Sequence, residues 1–174
     1  MKRIIHLGDL ATYVNGYAFK PCDWTAKGKP IIRIQNLTDS GKEYNHYEGN
    51  VQDKYLVQKG DILISWSASI GVYEWDGEDA WLNQHIFKVV FDKEDVDKCY
   101  FKYAVGYVLA KSMQYAHGAT MKHLTKGVFD GLQIPLYEKE KQIEIADRIG
   151  QIDDAIEECN ILLSEFGALV KSRF

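Results

Sequence analysis

The spacing of apolar residues changes twice along the chain. In the first part, short apolar runs are broken by turn formers. IIRIQNL (31–37) follows Gly28 and Pro30 and alternates around Arg33 and Gln35, which predicts an exposed strand. KGDILISW (59–66) is an apolar run entered through a Lys-Gly-Asp turn. GVYEWDGEDAWLNQHIFKVVF (71–91) predicts a strand, an Asp-Gly turn and a second strand, closed as a hairpin. Over 97–116 the period lengthens. Tyr100, Tyr103, Ala104, Tyr107 and Val108 share one helical face, and Phe101, Val105 and Leu109 share another, so a helix is predicted there. Pro135 marks a boundary. After it, EKEKQIEIADRIG opens a longer helix, with acidic residues in the first turn where the helix dipole favours them.

This last helix carries a seam. Ile145, Ile152, Cys159 and Phe166 recur at one core position, and Ile149, Ile156, Leu163 and Val170 at the other. Ala155, Leu162 and Leu169 widen the stripe. No proline interrupts the chain from Glu138 to Lys171, and at about 1.5 Å per residue the helix spans roughly 50 Å. That is too long to pack wholly against a domain of this size. The pattern predicts a mixed α/β (α+β) domain over residues 1–136, then one long coiled-coil helix over 137–174 whose seam needs a partner.

Composition bounds the class. The chain has 174 residues, 46% hydrophobic and 26% charged, enough to build a core. No run of about 18 apolar residues exists, so no transmembrane helix is expected, and the N-terminus lacks the form of a secretory signal. Cys22, Cys99 and Cys159 are odd in number and far apart, which suits a reducing, cytoplasmic compartment rather than a disulfide framework. The net charge of −4 argues at first against a nucleic-acid partner. Its distribution removes the argument. Residues 1–136 hold 16 Lys+Arg and 16 Asp+Glu, whereas residues 137–174 hold 5 and 9, so all the excess acidity lies on the terminal helix.

Catalytic arrangements are not evident. The sequence has no phosphate-binding glycine loop and no cysteine or histidine pair at zinc spacing. Glu138 and Glu140 in YEKEKQ could be forced into a nuclease-like carboxylate signature, but a solvated first helical turn explains them better. No Asn-Pro-Pro-Tyr or Asp-Pro-Pro-Tyr motif is present, which excludes a self-sufficient adenine methyltransferase.

Three stretches are rich in donors. GYAFKPCDWTAKGKPIIRIQNL (16–37) offers Lys20, Lys27 and Lys29 for phosphates, and Arg33, Gln35 and Asn36 for base edges. SWSASIGVYEW (65–75) offers Trp66, Ser67 and Ser69, beside LNQHIFKV (82–89). Asn83, Gln84 and His85 there suit either a buried polar network or a binding edge, with the structural reading favoured for Asn83 and Gln84. GATMKHLTKGVFDGLQIPL (118–136) sets Thr120, Lys122, His123, Thr125 and Lys126 in a basic loop, anchored by Phe129, Leu132, Ile134 and Leu136. Arg33 and Gln35 as one face of a strand, and 118–126 as a plain linker, are the structural alternatives.

Taken in order, LGDLATYVNGYAFK, GKPIIRIQNL, KGDILISWSASIGVYEW, LNQHIFKV, GATMKHLTKGVFDGLQIPL and EKEKQIEIADRIGQIDDAI resemble the specificity (S) subunit of type I restriction–modification systems over nearly the whole chain. The resemblance implies that residues 1–136 are a DNA target recognition domain reading a few base pairs in the major groove. It implies that 137–174 is the spacer helix. It also implies a non-catalytic subunit that docks methyltransferase and restriction subunits, with S-adenosylmethionine, ATP and Mg on those partners and no cofactor on this chain. A typical S subunit has two recognition domains and two antiparallel helices, whereas this sequence carries one of each. The expected partner of the seam is therefore a second copy or another half-subunit, and two identical copies would read a palindromic, bipartite site. The expected DNA contacts are Lys20, Lys27, Lys29, Arg33, Trp66, Ser67, Ser69, Thr120, Lys122 and His123. The alternative from another class is an interaction module that binds methyltransferase complexes without reading DNA.

Overall fold

The computed structural model describes residues 2–39, 41–67, 69–115 and 125–173. Strand β1 (Arg3–His6) leads into a single helical turn, α1 (Leu7–Leu10), and then β2 (Thr12–Asn15). After a short 3₁₀ turn at Pro21–Asp23 come β3 (Lys29–Ile32), α2 (Ile34–Thr38) and β4 (Asn45–Tyr47). Next are β5 (Leu56–Val57), β6 (Ile62–Ser65), β7 (Gly71–Glu74), β8 (Ala80–Leu82) and β9 (Ile86–Val90). The chain ends with α3 (Lys98–Tyr115), α4 (Lys126–Asp130), β10 (Gln133–Leu136) and α5 (Lys139–Arg173).

Two four-stranded sheets form the body, in the orders β2-β9-β6-β7 and β4-β3-β8-β5, and β1 pairs with β10 in a small third sheet. Strand β6 explains the apolar run ILIS. Ile62 and Ile64 face the main core with Tyr13, Phe87 and Phe101, while Leu63 faces the second core with Ile32, Trp75 and Leu82. A strand buried on both faces has no reason to alternate. Its entry turn works as the sequence implies, with Gly60 at φ +86°, in the left-handed region. Helix α3 covers the main core with Phe101, Val105 and Leu109.

Three local expectations change. The 71–91 segment is not a hairpin of two strands. It holds three strands, in which β7 pairs back with β6, and β8 inserts between β3 and β5. Trp75 draws the chain away from the hairpin because its side chain is needed in the second core. The strand over 31–37 stops at Ile32, and Ile34–Thr38 turns helical. There the Asn36 side chain accepts from the Arg33 backbone N–H at 3.1 Å and donates to the Lys42 carbonyl at 3.1 Å. Pro135 lies inside β10 rather than at a boundary, opposite Ile4. A two-stranded sheet leaves one edge unpaired, so proline's missing N–H is tolerated.

The first three turns of α5 rest on the globular part, where Gln142 and Ala146 are buried and Ile145 packs against the main core. From Gln151 to Lys171 every residue is exposed. No described helix is long and apolar enough to cross a membrane.

Candidate nucleic-acid interface

Strands β3 and β8 are parallel neighbours, with Ile31 opposite Trp81 and Ile32 opposite Leu82. Parallel strands end at the same edge, so the residues that follow them become neighbours although they lie about fifty positions apart. Arg33 follows Ile32, Asn83 follows Leu82, and the Asn83 N–H donates to the Ile32 carbonyl at 3.2 Å. At this edge Arg33, Ile34, Gln35, Thr38, Ser69, Asn83, Gln84 and His85 line a cleft of about 370 Å³. The first and second donor stretches of the sequence therefore meet in one place.

The cleft is held in shape from below. Gly16 makes the floor possible, because a Cβ there would lie 2.0 Å from the Asn83 carbonyl oxygen. His85 takes φ +72°, a left-handed conformation that a side chain disfavours. Its carbonyl accepts from the Trp66 backbone N–H at 3.3 Å, and its ring meets the Trp66 indole at 4.9 Å. Trp66 stacks on Phe87 at 5.8 Å, and its indole N–H donates to Asn15 Oδ1 at 3.3 Å. Asn83 Oδ1 and His85 Nδ1 are buried and have no hydrogen-bond partner among the described residues.

Arg33 brings a cation to the cleft. Its guanidinium donates to Asn45 Oδ1 at 3.0 Å and lies 5.4 Å from the centre of the Trp24 ring. A half-buried guanidinium braced on two sides keeps donors in a fixed plane, the geometry needed for bidentate contact with a base edge or phosphate.

The other expected contacts divide. Ser69 is exposed at the cleft, and its carbonyl accepts from the Ser65 hydroxyl. Trp66 is half-buried beneath it, and Ser67 is buried. Lys20 and Lys27 are exposed on the 3₁₀ turn and the loop after it. Lys29 opens β3, with its ammonium 5.7 Å from the Trp81 ring, at the end of the strand away from Arg33. The fold does not bring these lysines into the cleft. Asn36 is buried and used up by its backbone bonds. Thr120, Lys122 and His123 lie outside the described residues. Thr125 caps α4 by accepting from Val128 N–H, and Lys126 sits in that helix, paired with Asp130, rather than in a loop. Sequence reasoning missed Trp24, Asn45 and Asn15, which brace Arg33 and Trp66. Only the position of Trp24 among the lysines hinted at a role.

The seam residues occupy two environments. Ile145 and Ile149 are half-buried and line an apolar cleft with Tyr103, Tyr107 and Tyr137. Ile152, Ile156, Leu163, Phe166 and Val170 are each more than half exposed, and Cys159 is exposed. The ordered apolar row thus leaves the globular part uncovered.

Comparison with known proteins agrees with this architecture. The family model described as "Type I restriction modification DNA specificity domain" matches residues 2–163. The chain is 24% identical over 169 residues to the Escherichia coli type I restriction enzyme EcoBI specificity subunit, covering 96% of this chain and 35% of that protein. It is 32% identical over 157 residues to the putative type I restriction enzyme MjaX specificity subunit of Methanocaldococcus jannaschii, covering 88% of this chain and 37% of that protein. The chain therefore spans little more than a third of the length of these curated relatives. Its fold is similar to that of the HsdS subunit from Thermoanaerobacter tengcongensis, with a TM-score of 0.70 at 17% identity, over 90% of this chain and 38% of that one. A chain from a structure of type I R-M complex assembly and conformational transition superposes with a TM-score of 0.77 at 17% identity, over 98% of this chain and 43% of that one. The chain belongs to the family of type I restriction–modification DNA specificity domains.

Proposed function

We infer that this chain reads one half of a bipartite DNA target and docks the methyltransferase and restriction subunits of a type I system in the cytoplasm. It performs no catalysis itself, and S-adenosylmethionine, ATP and Mg act on the partner subunits. The observation that carries the reading is the Arg33 cleft. A braced guanidinium stands beside the polar side chains of Gln35, Ser69, Asn83 and Gln84, at an edge open to solvent. Arg and Asn are the side chains best matched to the major-groove edges of guanine and adenine.

The uncovered seam supports pairing with a second copy. In an antiparallel pair, Ile145 meets Val170, Ile149 meets Phe166, Ile152 meets Leu163 and Ile156 meets Cys159, each core position facing the other kind. Two-fold symmetry closes such an interface. It sets one recognition domain at each end of a rod about 50 Å long, with an unread spacer between the half-sites.

Selection of bound oligonucleotides from a random pool tests the function. A two-part palindromic consensus is expected. One-part or asymmetric sites would defeat the two-copy reading. Weak binding without sequence preference would favour the interaction module, for which the solvated acidic arm of α5 is the supporting feature.

A further inference from the structure

Gln142 is an unusual residue for the inner face of a helix. It is 1% exposed, and its amide is fully engaged by backbone outside α5. Its Oε1 accepts from Asp97 N–H at 2.8 Å, and its Nε2 donates to the carbonyls of Tyr137 at 2.8 Å and Asp95 at 3.2 Å. Those partners belong to the segment leading into α3 and to the connection from β10. One side chain therefore ties the root of α5 to two other parts of the globular body. Around it, Lys139 pairs with Asp95 at 2.8 Å, and Arg3 pairs with Glu94. An apolar side chain would fill the same space but would let the helix slide and rotate, because dispersion has no direction. Three hydrogen bonds of fixed geometry do not.

The length of the rod makes this matter. From Gln142 to Val170 the helix axis runs about 42 Å, so a tilt of about 10° at its root moves its tip by about 7 Å. Successive base pairs are about 3.4 Å apart, so that error equals about two base pairs. We propose that Gln142 is a positioning residue that sets the angle between the recognition domain and α5, and so determines which spacer lengths between half-sites are accepted. The spacing clause rests on the two-copy reading, and the angle itself does not.

Nitroxide labels at Cys22 and at Glu158→Cys, both exposed and off the seam, in a Cys99→Ser, Cys159→Ala background report the angle within one chain, when labelled protein is diluted into unlabelled protein. The unmodified Gln142 chain is expected to give a narrow distance distribution. Gln142→Met, which keeps the volume and loses the three bonds, is expected to broaden it about twofold through the lever of about 25 Å between Gln142 and the label. In oligonucleotide selection the same variant keeps the bases of each half-site and accepts more spacer lengths. An unchanged distribution in folded Gln142→Met overturns the proposal, whatever the DNA result. A broadened distribution with no two-part site for the unmodified chain overturns the spacing clause together with the two-copy reading. Should Gln142→Met fail to fold, hydrogen exchange on the unmodified chain decides. Protection of the Asp97 amide equal to that of the Phe101 amide supports the lock, and rapid exchange at Asp97 overturns it.

Discussion

Replacing Ile156 and Leu163 by Glu is the most informative change in the seam. Both residues are more than half exposed, and nothing between Gln151 and Lys171 is buried against the globular part, so the recognition domain should not respond. In an antiparallel pair each position occurs twice. Burying one Ile or Leu stabilises by about 2 kcal/mol, so each substitution removes about 4 kcal/mol from the dimer and the pair about 8 kcal/mol. At about 1.4 kcal/mol per tenfold, the double variant should dissociate more than about 10⁵-fold more readily. New carboxylates beside Asp153, Asp154, Glu157 and Glu158 add repulsion. Light scattering across a dilution series reads the mass, and thermal melting of the same samples reports the domain. The expected result is a monomer with an unchanged domain melt at concentrations where the unmodified chain is a dimer. An unchanged mass would refute the argument that the seam is the dimer contact. A monomeric unmodified chain at every concentration would refute self-pairing and direct the search to another half-subunit or to the methyltransferase.

Arg33→Ala should weaken binding to the preferred half-site by about 1–3 kcal/mol and barely change binding to unrelated DNA, measured by fluorescence anisotropy on both duplexes. Arg33→Lys should recover little, since a point charge lacks the planar fork. Gly16→Ala drives a Cβ into the Asn83 carbonyl and should destabilise the fold by about 3 kcal/mol, read as a lowered melting temperature. DNA affinity should fall about tenfold or more between about 50 and about 200 mM salt, and a flat response would argue against phosphate contacts. Burial, then neighbouring Tyr137, pushes the Tyr100 hydroxyl up to about 12. The folded state thus holds that proton more tightly than the unfolded chain, whose tyrosines titrate near 10. The stability it contributes is complete below about pH 10 and is lost as pH rises toward about 12, so urea midpoints should decline over that window and decline less in Tyr100→Phe.

Several features are legible in the sequence alone, for reasons of range. The helix over 98–115 and the long terminal helix follow from side chains three and four apart, a distance set by the backbone itself. The uncovered seam was legible because a heptad row is a local pattern, and 35 residues of helix exceed what the domain can cover. The Lys-Gly-Asp turn before β6 depends on one glycine and its immediate neighbours. Resemblance to the family came from six such stretches in order.

What the sequence left open depends on contacts between distant segments. The pairing of β8 with β3 rather than β7 is decided by burial of Trp75 and Leu82 between two sheets, and the hairpin signal of Asp-Gly is too weak to oppose it. The same parallel pairing assembles the Arg33 cleft, because it brings residues 33 and 83 to one edge. No spacing along the chain records that meeting. It also separates Lys29 from Arg33, which the sequence placed in one basic stretch. Gln142 reads as an ordinary polar residue in a helical turn, and only its three backbone partners show it to be a tie between the rod and the body. Local geometry is written in neighbouring residues. The angle of the rod and the shape of the cleft are set by hydrogen bonds and packing among segments that meet only when the chain is folded.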